Sequence, residues 1–102
     1  MGASEFQVIS KGSTAKEAFN SAIDDARWAF GNSGYTGSIA EKRSFALIPC
    51  PSTNTTTKQV LMYSEELMDD DDPRISDKWG PAGCIKLPDK EDSYLFFGWA
   101  SS

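Results

Sequence analysis

Histidine is missing from this 102-residue chain. Without imidazole there is no Ser-His-Asp or Cys-His activation of a nucleophile and no zinc site of the kind that needs a histidine ligand. Cysteine is scarce. Cys50 and Cys84 allow a single pairing, which requires their Cα atoms within about 7 Å; in a reducing compartment two such cysteines read as small buried hydrophobes. Cations are outnumbered, 10 Lys and Arg against 15 Asp and Glu, for a net charge of −5. That balance argues against a direct nucleic-acid binder, which needs an excess of positive charge. No stretch approaches the ~20 apolar residues that span a bilayer. The first ten residues lack a basic region followed by an apolar block, and Phe6 stands where a myristoylation motif needs Ser or Thr. The expectation is a soluble cytoplasmic protein with no membrane partner.

What is present suits one domain over 1–102. A hydrophobic fraction of 39% is too high for a disordered chain, and this length buries roughly two-thirds of the unfolded surface, enough for a core without staples. Alternation around Phe6 and Val8 predicts a strand over 5–11, with Ile9 on its other face. Thr14 and Glu17 have capping-box spacing. Ala15, Ala18, Phe19, Ala22, Ile23, Ala26 and Phe30 then fall on one helical stripe, which predicts a helix over 14–30 ending at Gly31. Its alanines suit close approach to a sheet.

The glycine loop 31–38 fits neither Gly-x-Gly-x-x-Gly nor a P-loop and follows a helix rather than a strand, so turn chemistry is the economical account. Ser44 to Ile48, apolar on both faces, reads as a central strand. Asn54-Thr55-Thr56 is a glycosylation sequon, read here as a polar loop. Residues 58–68 carry a helical stripe (Val60, Tyr63, Leu67), with a strand over 58–63 as the competing reading. Strands follow at 82–87 and 94–100, joined by a short charged turn as an antiparallel hairpin. The order β-α-β-α-β-β predicts an α+β, two-layer sandwich with a mostly antiparallel four-stranded sheet and one or two helices. The last strand is apolar on both faces, so its second face needs a cover: the second helix, loop 73–81 or a partner chain.

The residues that stand out chemically are acidic. Glu65, Glu66, Asp69, Asp70, Asp71 and Asp72 put six carboxylates in eight positions. They read as a solvated helix end, as a weak divalent-cation site, or as an electrostatic lure for the basic groove of a nucleic-acid-handling protein. The spacing fails the EF-hand loop, since counting from Asp69 places Arg74 at the sixth position and Gly80 at the twelfth. Opposite charges in Asp72-Pro73-Arg74 and Asp77-Lys78-Trp79 suit a local network fixing that loop, and Trp79 reads as a cap on the core. Trp28 projects opposite the apolar stripe of its helix. It is covered by the following loop, or it is an exposed anchor for a partner. No carboxylate pair, cysteine or tyrosine has the neighbours that catalysis requires, so the chain reads as non-catalytic, with no cofactor.

Gly34-Tyr35-Thr36-Gly37-Ser38-Ile39-Ala40-Glu41-Lys42, the run from Asp72-Pro73-Arg74-Ile75-Ser76-Asp77-Lys78-Trp79-Gly80-Pro81 to Ile85, and Phe96-Phe97-Gly98-Trp99-Ala100-Ser101 are similar to segments of small uncharacterised accessory proteins of bacteriophages and mobile elements. The resemblance touches about a third of the chain and transfers no catalytic residue. It implies an accessory protein of a bacterial cytoplasm that binds and inhibits a host defence or regulatory factor, in the manner of an anti-CRISPR. The acidic block and Trp28 are the expected contacts with a host protein. Two other functions stay open: a nucleotide- or cation-binding domain built on loops 31–38 and 72–83, and a homo-oligomer joined through the aromatic last strand.

Overall fold

A computed structural model describes residues 3–30, 38–50 and 55–101. The chain runs through β1 (Ala3–Lys11), α1 (Ala15–Phe30), a 3-10 turn (Ile39–Glu41), β2 (Phe45–Leu47), α2 (Thr57–Asp69), β3 (Ala82–Lys86) and β4 (Ser93–Ser101). The four strands form one mixed sheet in the order β1-β4-β3-β2. β4 pairs antiparallel with both β1 and β3, and β2 runs parallel to β3. This is the α+β architecture with two helices that the hydrophobic pattern predicts. The glycine loop, the Gly31 helix stop and the asparagine of the sequon lie outside the described residues.

The 58–68 segment is helical, and its start is well specified. Thr56 and Gln59 form a capping box: the Gln59 amide donates to Thr56 Oγ1 (3.3 Å) and the Thr56 amide to Gln59 Oε1 (2.9 Å). Asp89, from the β3–β4 turn, accepts from the Thr57 amide (2.8 Å) and the Thr57 hydroxyl (2.7 Å). Those donors hold its carboxyl below the usual aspartate value, and its negative charge sits at the positive end of the helix dipole. At the start of α1, the Glu17 amide donates to Thr14 Oγ1 as the box requires (3.1 Å), but the Glu17 carboxylate reaches one residue further back, to the amide and hydroxyl of Ser13.

The two helices cover opposite faces of the sheet. Ala18, Phe19, Ala22, Ile23 and Ala26 of α1 pack with Phe6, Cys84, Tyr94 and Phe96. On the other face Val60, Leu67 and Met68 of α2 pack with Ile85, Leu95 and Phe97. The architecture is therefore three layers rather than two. The cover that the sequence leaves open is α2, completed by Ile75 from the 73–81 loop, which is 1% exposed. Gln7 ties the edge strand to this layer: its Nε2 donates to the Leu61 carbonyl (3.2 Å) and to Ser64 Oγ (2.7 Å).

Phe96 and Phe97 are fully buried on opposite faces of β4, each burial contributing about 1.5–3 kcal/mol. This suits β4 to its interior place between β1 and β3. The segment 44–48 is instead a short edge. Its apolar residues serve both layers, Phe45 one and Ile48 the other, while Leu47 is 67% exposed. Two glycines make room for aromatic rings against the sheet. Gly98, at φ 146°, faces the Phe6 ring across the β1–β4 pair, and at Gly83 the Phe97 ring occupies the space a side chain would take. Cys84 and Cys50 pack in different layers and are both free thiols, with burial pushing the Cys84 thiol up to about 12.

Candidate interaction site

The acidic block occupies the last turns of α2 and the reversal that follows. The Asp71 amide donates to the Met68 carbonyl (3.2 Å) and the Asp72 amide to the Leu67 carbonyl (3.0 Å). With Asp71 at φ 52°, this is a Schellman closure with aspartate in the left-handed position that usually belongs to glycine. Glu65, Glu66, Asp69, Asp70 and Asp71 are exposed. Asp72 is spent locally. It accepts from the Arg74 amide and binds the Arg74 guanidinium through both oxygens, at 2.9 Å from Nε and 2.8 Å from Nη2. These bonds draw the Asp72 carboxyl down to about 2 and raise Arg74 above its usual value.

Beyond Arg74 the loop is fixed by a residue that sequence reading passes over. The Lys42 ammonium donates to the carbonyls of Asp77 (3.3 Å), Lys78 (3.2 Å) and Gly80 (3.0 Å), and Lys42 is only 4% exposed. Burial pulls its pKa below the ordinary lysine value, partly opposed by the charge of Asp77. In the run Glu41-Lys42-Arg43 this lysine looks like a surface charge, and nothing in the spacing marks it as internal. The expected network around Asp72 and Arg74 forms. At Asp77 the carboxylate accepts instead from the Trp79 amide (2.9 Å). Trp79 is 65% exposed with the Lys78 ammonium 5.5 Å from its ring centroid, so it does not cap the core. Ile75 fills that role.

The loop after α1, which the sequence offers as a cover for Trp28, lies outside the described residues; Trp28 itself is 92% exposed. It lies on α1, across the sheet from α2, so the structure does not bring Trp28 and the acidic block onto one face. Among the described residues, no three carboxylate or thiol side chains converge as metal ligands, and no helix is long and apolar enough to cross a membrane. The aromatic last strand cannot serve as an outer interface, because Tyr94, Leu95, Phe96 and Phe97 are buried between two helices and two neighbouring strands.

A second polar surface lies on the α1 side. Two adjoining hollows, about 520 and 240 Å³, run between α1 and residues 42–45. Phe19 and Phe45 contribute the apolar lining, and Lys16, Arg27 and Arg43 the charge, with Asp24 opposing. Comparison of the chain with protein families, with curated proteins and with solved structures finds no match.

Proposed function

We propose that this chain is a non-catalytic binding protein that works by occupying a basic surface of another protein, with Glu65, Glu66 and Asp69 to Asp71 as the contact. The observation that carries this reading is where the carboxylates sit. The C-terminal end of a helix is the negative end of its dipole, where acidic side chains are unfavourable, and the last turn of α2 holds no basic residue. Like charges so arranged detract from folding, whereas a field of one sign steers association with a complementary partner and rejects wrong ones. The resemblance of the sequence to phage accessory proteins implies a host protein of the bacterial cytoplasm as partner and inhibition of a defence machine as the concrete outcome, and the carboxylate patch suits the basic groove of a nucleic-acid-handling protein. Trp28, on the opposite layer, is a contact only for a partner that wraps the molecule.

The test is retention of a host protein from bacterial lysate at low salt. Binding is expected to weaken steeply as salt rises and to disappear when Asp69, Asp70 and Asp71 are replaced by lysine. Retention that survives both changes overturns the electrostatic reading. The groove beside Arg27 and Arg43 favours a second reading, a small anionic ligand such as a nucleotide. A rise in melting temperature with nucleotide, lost in Arg43→Ala, supports it by mass action; no rise across a nucleotide panel removes it.

A further inference from the structure

We infer that β1 is the pairing edge of a homodimer, in which two copies join antiparallel through β1, centred on Val8, into one continuous sheet. It shares only Glu65 with the acidic contact proposed above. β1 keeps an unbroken register with β4 from Ala3↔Ser101 to Lys11↔Ser93, so no bulge bends it away. It contains no proline, and its other side pairs with no strand among the described residues. A long, regular edge is what soluble proteins avoid leaving without a pairing strand.

The main-chain groups have the right phase. The Gly12 amide donates to the Asp92 carbonyl (3.0 Å) in continuation of the β1–β4 ladder, so even-numbered residues direct their amides and carbonyls to β4. Alternation then turns those of Ala3, Glu5, Gln7, Ile9 and Lys11 to the open side. An axis through Val8 sets Glu5 against Lys11 and Gln7 against Ile9, each pair twice by symmetry. All are positions whose outward main-chain groups meet no strand among the described residues. The side chains of Glu5 and Lys11 are exposed and have no ion-pair partner among the described residues. Moving the axis to Gln7 sets Lys11 against Ala3 and Glu5 against Ile9, and the charge match is lost.

The receiving corner is already shaped. A hollow of about 140 Å³ beside the edge is lined by Glu5, Phe6, Gln7, Glu65 and Met68. Lys11 of the second copy, opposite Glu5 in this register, enters between the two glutamates. The contact is isologous and closes at two copies.

Sedimentation velocity across the micromolar to millimolar range tests the inference. The wild-type chain is expected to approach twice its 11.2 kDa mass. Ile9→Pro removes an outward amide and leaves every β1–β4 bond in place; it is expected to be a folded monomer. Lys11→Glu, which faces Glu5 and Glu65 across the interface, is expected to be monomeric, and the exchange Glu5→Lys with Lys11→Glu to restore the dimer. A wild-type monomer throughout the range overturns the inference. So does a dimer that Lys11→Glu leaves intact or that the exchange fails to restore. If Ile9→Pro does not fold, the charge variants decide alone. None of these changes touches Asp69 to Asp71, so loss of the dimer and loss of host-protein retention are separate results.

Discussion

Replacing Lys42 by methionine keeps the length of the side chain and deletes the ammonium that gathers the Asp77, Lys78 and Gly80 carbonyls. A hydrogen bond from a charged donor contributes about 1.5–3 kcal/mol, so three give a gross loss of roughly 4–9 kcal/mol. Two effects reduce it. Burying an ammonium costs several kcal/mol even after relaxation, and the lowered lysine pKa shows that this penalty is present; methionine recovers it. The freed carbonyls also lie on a partly exposed loop, where water can reach them. The expected net loss is about 2–4 kcal/mol, a fall in melting temperature on the order of 10–20 °C for a domain of this size. Thermal unfolding by circular dichroism measures it. Amide exchange at Trp79 and Gly80, whose N–H groups both bond to Asp77, should speed up more than exchange in β4. A Lys42→Met protein within about 0.5 kcal/mol of wild type, the range of an ordinary surface substitution, would mean that the ammonium does not hold the 77–80 loop.

Two further outcomes follow from packing and titration. A Cβ on Gly83 would stand 2.5 Å from Cζ of the fully buried Phe97 ring, so Gly83→Ala should destabilise by about 1–3 kcal/mol through overpacking. Combining it with Phe97→Leu should lose less than the two single changes added together; strict additivity in urea unfolding argues against the clash. The Asp72 carboxyl lies at about 2 in the folded protein against an ordinary 3.8. Its stabilisation is complete above the ordinary value and is lost as pH falls through the folded one, at ~1 kcal/mol or less because the pair faces solvent. Asp72→Asn should therefore flatten the acid limb of the stability curve below about pH 4, and an unchanged limb would count against the Asp72–Arg74 pair.

Much of the fold is legible in the residues because local and global preferences agree. The alanine stripe of α1 is what close packing on a sheet requires, and the apolar run 94–100 announces a strand buried on both faces. The edge position of the 44–48 strand was not legible. That run and 94–100 are both apolar on both faces, and only tertiary pairing reveals that one is a three-residue edge and the other an interior strand. Two layers became three because a stripe as short as Val60, Tyr63 and Leu67 says that a helix has a buried side without saying which face of a sheet receives it. Within the candidate site, the carboxylates could be read directly, since exposed charges are visible as charges. Lys42 could not, because a buried lysine depends on three carbonyls more than thirty positions away along the chain, which no local pattern encodes. Trp79 misled for the converse reason: a large aromatic beside Gly-Pro suits a core cap, but the smaller Ile75 had already filled the space.

The central place of β4 bears on how the chain reaches its native state. The strand that opens the described sequence and the strand nearest its close lie side by side, and β3 meets β1 only through the segment between them. Neither β1 nor the β2–β3 pair has a partner for its inner edge until residues 93–101 arrive. Contacts so distant in sequence make for slow assembly relative to helical proteins of equal length. The β1–β4 ladder, from Ala3↔Ser101 to Lys11↔Ser93, is the pairing that closes the longest loop in the sheet.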